Sequence, residues 1–513
     1  MPVVHEREVR VQYGFAIDQR TCIGCHACTV ACKTEHQVPL GQFRTWVKYV
    51  DSGEFPTTTR DFGVMRCNHC TDAPCVTICP TQALFKRDDG IVDFDNSRCI
   101  GCKSCLQACP YDALYIDEDT HTAAKCNFCA HRVDQGLEPA CVVVCPTESI
   151  WVGDLDDPDS AISQFVANTP TQVRAPEQRT GPNVHYVGAS PLVLEPLAAP
   201  VDDTYIWAQP DSLRLAVKTD LLMDPETKAR TTLNTAHPRP WGWMVSTYLW
   251  TKGVAAGAMM LAGLALLLGR TGGVVGDVAA PLLAMAGLLA TAVLLIADLK
   301  RPERFWMLIL KPNPTSWLFR GGLVLGLAAA FTFAWFVGGL LGNEAMIRYL
   351  AAPNVLLGVL TAGYTAFLFK QAEGRDLWQN PALFWHLLAQ GIMVGSGLLL
   401  VLSLPLDHGD LATPMLAGLL VGTVGHLAFV GLELRGHHAT ANAAAGVAIM
   451  TGQRYGQTLQ TSIGVAALTA LLALVGLVTG SLVLGALGGI LAQVALLMYE
   501  HVFVRAGQEV PLS

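Results

Sequence analysis

The chain has 513 residues and a formal net charge of −8, and 51% of its residues are hydrophobic. That length exceeds one ordinary domain, and an acidic chain without a basic stripe is unsuited to nucleic-acid binding. Its composition is uneven: all 16 cysteines lie between Cys22 and Cys145, whereas the chain after about Pro240 is rich in Leu, Ala, Gly and Val. We therefore expect a cysteine-rich first part and a membrane-embedded second part.

The first residues, Met1 to Glu8, contain neither an apolar stretch nor a twin-arginine pair. We therefore expect no export signal. Tightly spaced cysteines in a chain that is not exported favour metal binding over disulfides.

The cysteines form four runs of four, and each run ends in Cys-x3-Cys. The first and third runs match C-x2-C-x2-C-x3-C, the pattern of bacterial two-cluster ferredoxins, in which the fourth cysteine ligates a different cluster. The second and fourth runs have one longer gap. Structural zinc is the alternative, but it usually takes separated Cys-x2-Cys pairs. The sequence therefore predicts four [4Fe–4S] clusters. The runs are Cys22, Cys25, Cys28, Cys32; Cys67, Cys70, Cys75, Cys79; Cys99, Cys102, Cys105, Cys109; and Cys126, Cys129, Cys141, Cys145.

Residues 13–188 resemble the four-cluster ferredoxin-like subunits of molybdopterin oxidoreductases, such as the polysulfide and dimethyl sulfoxide reductases. The resemblance lies in motifs such as Cys22-Ile-Gly-Cys25 and Lys125-Cys-Asn-Phe-Cys129. It implies an α+β double-ferredoxin-like domain over 1–188 and a molybdopterin-containing catalytic partner. It also implies the four ligand sets: Cys22, Cys25, Cys28 with Cys145; Cys126, Cys129, Cys141 with Cys32; Cys67, Cys70, Cys75 with Cys109; and Cys99, Cys102, Cys105 with Cys79.

Several basic residues near the runs are candidates for raising cluster potentials, since positive charge favours the reduced state. Ordinary surface charge is the alternative for each of them. They are Lys33, Lys86, Arg98, Lys103, Lys125 and Arg132.

Residues 189–239 are polar and rich in proline, which predicts an extended linker or partner surface. The remaining part, 240–513, contains eight apolar runs long enough to span a bilayer as helices. We predict an all-α bundle with spans at Trp241–Leu268, Val278–Ala297, Gly321–Leu341, Tyr349–Phe369, Leu383–Leu404, Pro414–Leu434, Ile463–Val478 and Leu482–Tyr499.

An even number of spans places both ends of the bundle on one side. The loops on that side carry most of the basic residues, which predicts a cytoplasmic cluster domain on the inner membrane. Ten basic residues lie on that side (Lys300, Arg301, Arg304, Lys311, Arg320, Lys370, Arg375, Arg435, Arg454, Arg505) and two on the other (Arg270, Arg348).

The second part resembles the NrfD, or polysulfide-reductase membrane-subunit, family in Pro240-Trp-Gly-Trp243, Asp298-Leu-Lys-Arg-Pro302, Gly363-Tyr-Thr-Ala366 and the tail after Arg505. The resemblance implies a haem-free bundle that binds quinone. A dihaem anchor, the alternative, needs histidines facing each other in both leaflets, and the candidate histidines lie mostly on one side. We therefore expect no haem.

Ionisable and hydrogen-bonding residues inside a membrane are costly and usually functional. Tyr364, supported by the family resemblance, is the main candidate for binding a quinone carbonyl, with His237 and Trp241 at the start of the first helix. Lys252, His426 and Glu433 are candidates for a proton path. Interhelical hydrogen bonding is the alternative for each.

These features predict an electron-transfer subunit that connects a molybdopterin-containing partner with membrane quinone. Substrate chemistry then belongs to the partner, and whether this chain is itself an enzyme stays open. The alternatives are a quinol-oxidising module like that of alternative complex III, a redox-driven proton pump and a passive membrane anchor.

Overall fold

A computed structural model describes residues 11–200 and 228–513. The residues that bear on an export signal, Met1 to Glu8, and most of the predicted linker lie outside this part of the chain. The chain forms two compact units. The first contains the described residues up to Pro238 with 306–312 and 511–513, and the second contains 239–305 and 313–510.

The first unit combines short strands with short helices, which confirms the α+β prediction. Its helices among the described residues are Ala27–His36, Pro74–Ile78, Ser104–Ala108, Ala130–Val133, Ala140–Val143, Ala161–Asn168, Pro191–Leu194 and Met307–Leu310, with a 3₁₀ turn at Pro176–Gln178. Its strands are β1 (Tyr13–Asp18), β2 (Thr45–Ser52), β3 (Thr59–Arg66), β4 (Leu84–Lys86), β5 (Val92–Phe94), β6 (Leu114–Ile116), β7 (Ala123–Lys125), β8 (Ile150–Asp154), β9 (Thr171–Gln172), β10 (Val184–Val187) and β11 (Arg230–Leu233).

The largest sheet has the order β8-β1-β10-β9, with β1 parallel to β10 and antiparallel to β8. Its buried face carries Phe15 and Ile17 of β1 and Val184 and Tyr186 of β10, which pack with Phe128 in one core. Two hairpins, β4-β5 and β6-β7, connect the second cysteine run to the third and the third to the fourth. The strands thus bring cysteine runs that are distant in sequence onto one core.

The predicted linker over 189–239 differs from the structure at both of its ends. Pro191–Leu194 is a helix whose Val193 is buried, and β11 pairs antiparallel with β2. Trp46 of β2 donates a hydrogen bond from Nε1 to Asn234 Oδ1 at 2.9 Å. Both ends of the predicted linker are therefore part of the first unit, because they pack against β2. The amino-acid composition of the linker does not reveal these partners.

The second unit contains eight helices long and apolar enough to cross a membrane, and this confirms the predicted number. Within it the described residues also form a short helix at Ala441–Thr451 and a 3₁₀ turn at Asp376–Gln379. The eight are helix 1 (Trp243–Leu267), helix 2 (Val275–Ala297, beginning with a π turn), helix 3 (Trp317–Leu340), helix 4 (Glu344–Gln371), helix 5 (Leu383–Leu402), helix 6 (Ala412–Arg435), helix 7 (Gly456–Thr479) and helix 8 (Leu482–Gly507).

Helix 1 is the most enclosed of the eight and packs against helices 2, 4, 5 and 8. Helices 1 and 5 approach through glycines: a Cβ at Gly257 would lie 1.9 Å from the carbonyl oxygen of Gly391 and 3.0 Å from Cα of Gly395. Helices 5 and 8 meet in the same way at Gly397 and Gly489. Small residues at such contacts let membrane helices pack backbone to backbone.

We expect Gly257→Ala to destabilise the bundle by about 1–3 kcal/mol, because the added methyl group overlaps backbone atoms that cannot rotate away. Gly322→Ala in helix 3 is the matched control, since a Cβ there meets nothing within 4 Å. The control should leave stability unchanged or raise it by up to about 1 kcal/mol, the helix-propensity difference. Thermal unfolding of the detergent-purified protein measures both. Equal melting temperatures for the two variants would contradict the close packing of helices 1 and 5.

Candidate functional site

The four cysteine runs share one local turn. In each run the residue two positions after the first cysteine has a positive φ: Gly24 (67°), His69 (44°), Gly101 (68°) and Phe128 (62°). The backbone N–H of that residue donates to the first cysteine's Sγ, at 3.5 Å for His69 and 3.4 Å for Gly101, with the same bond present for Gly24 and Phe128. The turn curls the run so that its thiols face a common centre.

The thiols gather into four sets, each joining two runs. Within each set the thiols are close enough to interact electrostatically. The structure thus brings together the residues that the family resemblance paired. The sets are A (Cys22, Cys25, Cys28, Cys145), B (Cys32, Cys126, Cys129, Cys141), C (Cys67, Cys70, Cys75, Cys109) and D (Cys79, Cys99, Cys102, Cys105).

The surroundings of the sets suit a metal cluster. The four thiols of set D line one cavity, together with Pro80, Ile100 and Lys103. Burial raises the pKa of Cys102 in set D and of Cys70 in set C to about 12, with neighbouring thiols adding to the effect. Such thiols stay protonated at neutral pH unless a bound cation stabilises the thiolate, so cluster binding would release protons.

A single metal ion fits these sets less well than a cluster. Within residues 11–200 and 228–513, no three His, Cys, Asp or Glu side chains surround a point where one ion would sit. The four iron corners of an iron–sulfur cubane each take one thiolate, so its four ligands are farther apart than those of one tetrahedral zinc ion.

The sets follow one another in a line. Cys28 of set A interacts with Cys141 of set B, Cys126 of set B with Cys67 of set C, and Cys105 of set D with Cys75 of set C. The order is therefore A-B-C-D.

A polar cluster is buried in the second unit around Lys252 of helix 1. The Lys252 ammonium donates to Thr365 Oγ1 at 2.5 Å and to the Ala362 carbonyl oxygen at 3.1 Å. It also lies 4.9 Å from the ring centroid of Tyr364, a cation–π distance. Glu500 of helix 8 is the carboxylate within electrostatic range of Lys252.

The polar cluster extends from Glu500 across helices 5 and 6. Glu500 is hydrogen-bonded to the side chain of Gln390, and Gln390 Nε2 lies 3.4 Å from His386 Nε2. His386 Nε2 in turn lies 2.9 Å from His426 Nδ1. These side chains are all at most 4% exposed, so helices 5, 6 and 8 share a buried line of polar groups, and Lys252 of helix 1 interacts electrostatically with its Glu500 end.

Glu433 adjoins the same groups through Tyr499, whose hydroxyl donates to Glu433 Oε2 at 2.5 Å. The Tyr499 ring packs against both His386 and His426. All three predicted proton-path residues thus belong to one buried region, and Gln390, His386, Tyr499 and Glu500 connect them.

Residues 231–511, more than half of the chain, match the family described as "Polysulphide reductase, NrfD". The protein belongs to this family. Residues 59–155 match a 4Fe-4S dicluster domain, so the first unit of this NrfD-family protein is a ferredoxin-like iron–sulfur domain, as predicted.

Curated relatives match the iron–sulfur part of this fusion. The chain is 45% identical over 200 residues to a tetrathionate reductase subunit of Salmonella typhimurium, covering 38% of this chain and 80% of that protein. It is 42% identical over 163 residues to a polysulfide reductase chain of Wolinella succinogenes, covering 31% and 85%. It is 44% identical over 164 residues to NrfC of Escherichia coli, covering 31% and 74%.

The remaining predicted quinone residues of the NrfD-family protein lie in different units. His237 belongs to the first unit, where its Nδ1 forms a short contact with Asp112. Trp241 belongs to the second, where its ring stacks on Phe369 and Trp378. Tyr364 is 5% exposed, and its ring packs so tightly that a Cβ on Gly321 would lie 2.3 Å from it.

Sequence reasoning missed Arg66, which is fully buried and donates to Cys141 Sγ at 3.4 Å. The sequence does contain a pattern that points to Arg66. A basic residue stands directly before the first cysteine of the second, third and fourth runs, namely Arg66, Arg98 and Lys125. Two of these three are fully buried beside thiols, whereas Arg98 is only half-buried and pairs with Asp95 at 3.0 Å.

Proposed function

We propose that this chain relays electrons between a molybdopterin-containing catalytic subunit and a membrane quinone or quinol through four [4Fe–4S] clusters held by sets A to D. The observation that carries the proposal is the linear order of four complete thiol sets on the same chain as an NrfD-family bundle. The relatives that are subunits of tetrathionate and polysulfide reductases support a separate catalytic partner.

The role of the first unit in this proposal is conduction. An iron–sulfur cluster takes up and gives back one electron at a time. The chain's own residues supply the ligands, exclude water from most of the thiols and place the sets in line. Substrate chemistry takes place on the partner, so this chain is the quinone-reactive subunit of an oxidoreductase complex.

The role of the second unit is to exchange electrons and protons with quinone, with the Tyr364 hydroxyl donating to a quinone carbonyl. Support comes from the Lys252 ammonium, which lies under the Tyr364 ring, and from Glu500, which interacts electrostatically with Lys252. Reduction of a quinone needs two protons, and Lys252 and Glu500 are ionisable groups in this cluster that can each take up and release a proton. His237 and Trp241 stay predictions as further contacts.

The buried polar cluster favours quinone and proton chemistry over a passive anchor. A helix bundle that only tethers the clusters has no need of Lys252, Glu433 and Glu500 inside a membrane, where each ionisable group costs at least about 2.5 kcal/mol. The line from Lys252 through Glu500, Gln390 and His386 to His426 supports proton movement within the bundle, as the proton-pump alternative requires. An arm that oxidises quinol, like that of alternative complex III, would use the same groups in the reverse direction.

Metal content tests the four-cluster part of the proposal. Anaerobically purified protein should contain about 16 iron and about 16 acid-labile sulfide per chain, four of each per cubane. The measurements are iron and sulfide assays with zinc measured in parallel. A zinc-rich preparation without acid-labile sulfide would refute the proposal, and about 8 iron would limit it to two clusters.

Substitution at Tyr364 tests the quinone part. Tyr364→Phe keeps the ring and removes one neutral hydrogen bond, worth about 1 kcal/mol, so quinone binding should weaken several-fold. If the hydroxyl also transfers a proton, turnover should fall by a further factor of about 10–100. The measurement compares quinone-linked turnover with dye-linked turnover at the clusters, and only the first should fall.

Tyr349→Phe is the matched control, because Tyr349 lies in the same helix 4 but is 83% exposed. It should leave both activities at the wild-type level. If Tyr364→Phe behaves like Tyr349→Phe, Tyr364 lies outside the quinone site.

We propose further that the ends of the bundle and the cluster domain lie on the cytoplasmic side of the inner membrane, from the distribution of basic residues. Two epitope insertions test this: one after His437, between helices 6 and 7, and one after Gly342, between helices 3 and 4. On cells stripped of their outer envelope, antibody should reach only the insertion at 342 before permeabilisation. The reverse pattern would place the cluster domain outside.

A further inference from the structure

A fully buried arginine lies where sets A and B meet. Arg66 is the last residue of β3 and is 0% exposed. Its Nη1 donates to Cys141 Sγ of set B at 3.4 Å. Its charge also interacts with Cys126 of set B and Cys28 of set A, and the guanidinium lies 4.4 Å from the Phe15 ring centroid.

A fully buried lysine occupies the next junction, where sets B and C meet. Lys125 is the last residue of β7, and its Nζ donates to the Cys126 carbonyl oxygen at 2.8 Å, to Cys67 Sγ of set C at 3.5 Å and to the Val92 carbonyl oxygen. Three acceptors match the three N–H bonds of an ammonium group, whereas a neutral amine has only two to donate. Lys125 is therefore held as a cation.

Neither positive charge is neutralised by a carboxylate. Within the part of the chain that the structure describes, Arg66 and Lys125 form no ion pair, although Asp93 interacts with Lys125 over a longer distance. Nε and Nη2 of Arg66 are buried without a hydrogen-bond partner. A buried cation without an anion is expensive, so the expected counter-charge is the group that the thiols bind.

The two cations act on the four sets unequally. Set B interacts with both, set A with Arg66 and set C with Lys125. Neither cation is among the main groups that act on Cys105 of set D, whose cavity is lined by one buried lysine, Lys103. Set B has further positive neighbours, because Arg44 and Lys33 both interact with Cys32. The second position of the line thus has the most positive surroundings.

We propose that Arg66 and Lys125 tune the potentials along the line and make the cluster of set B the most easily reduced of the four. The inference rests on the four-cluster function proposed above. A cluster becomes more negative on reduction, so a buried positive charge stabilises the reduced state, and low surrounding polarity strengthens the effect. Both residues act through the clusters and touch no substrate. An electron in the line therefore rests at set B, the second of its four positions.

The experiment is a potentiometric titration of the purified full-length complex, followed by electron paramagnetic resonance. Arg66→Met and Lys125→Met each remove one buried charge, and Arg66→Lys keeps it. Arg60→Met is the matched control, since Arg60 lies in the same strand β3 but is exposed and paired with Asp51. Cys129→Ser identifies the signal of set B by altering one ligand of that cluster alone.

In the wild type the signal of set B should have the highest potential. At its wild-type midpoint, Arg66→Met should lower the ratio of reduced to oxidised cluster at least tenfold, which is 59 mV for a one-electron couple. The potential of set A should fall as well, and that of set D should not. Lys125→Met should lower the potentials of sets B and C. Set B is therefore the only set whose potential should fall in both variants. Arg66→Lys and Arg60→Met should match the wild type.

A wild-type protein in which another set has the highest potential would overturn the inference, as would an Arg66→Met variant with all four potentials unchanged. If Arg66→Met loses iron, the inference is tested by the order of the four potentials in the wild type and by the potentials in Lys125→Met. Fewer than four clusters in the wild type would contradict the four-cluster part of the proposed function. Four clusters among which set B has a low potential would contradict only the inference drawn from Arg66 and Lys125.

Discussion

The burial of ligand charge is the constraint on which the first unit depends. Sixteen cysteines within Cys22–Cys145 are mostly buried, and a thiolate in such surroundings needs positive charge or hydrogen-bond donors. The chain supplies donors through the same turn in every run, with a backbone N–H aimed at the first Sγ, and it supplies charge through Arg66 and Lys125. The longest helix of this unit among the described residues has only ten residues. Under the proposed ligation, cross-linking of the runs through metal therefore adds to the stability of this unit.

The second unit meets the same constraint by a different route. Lys252 is placed in the most enclosed helix, where its charge is met by Thr365, the Ala362 carbonyl, the Tyr364 ring and Glu500. Glycine contacts between helices 1, 5 and 8 bring the backbones close enough for these side chains to meet. Close packing and polar chemistry thus depend on each other, because bulkier residues at the contacts would separate helix 1 from helix 8.

The sequence predicted most of what depends on local pattern. The cysteine spacing gave four groups, and eight apolar runs corresponded to eight helices, because bilayer thickness fixes their length. Features that depend on tertiary partners were not predictable. Strand β11 lies in a stretch that looks like a linker until β2 is found beside it. Arg66 looks like any basic residue before a cysteine, and only packing shows that it is buried while Arg98 is not. Glu500 is identified as the partner of Lys252 only once helices 1 and 8 are seen together.

The way in which the sets combine the runs has a consequence for synthesis on the ribosome. Sets C and D take thiols only from the second and third runs, so all of their ligands have been made once Cys109 has left the ribosome. Sets A and B join the first run to the fourth, so set B is complete only once Cys141 has been made and set A only once Cys145 has been made. Under the proposed ligation, the clusters of sets C and D can therefore be assembled on the nascent chain before those of sets A and B. The maturation machinery must then protect the thiols of Cys22, Cys25, Cys28 and Cys32 during that interval, although they are the first to emerge.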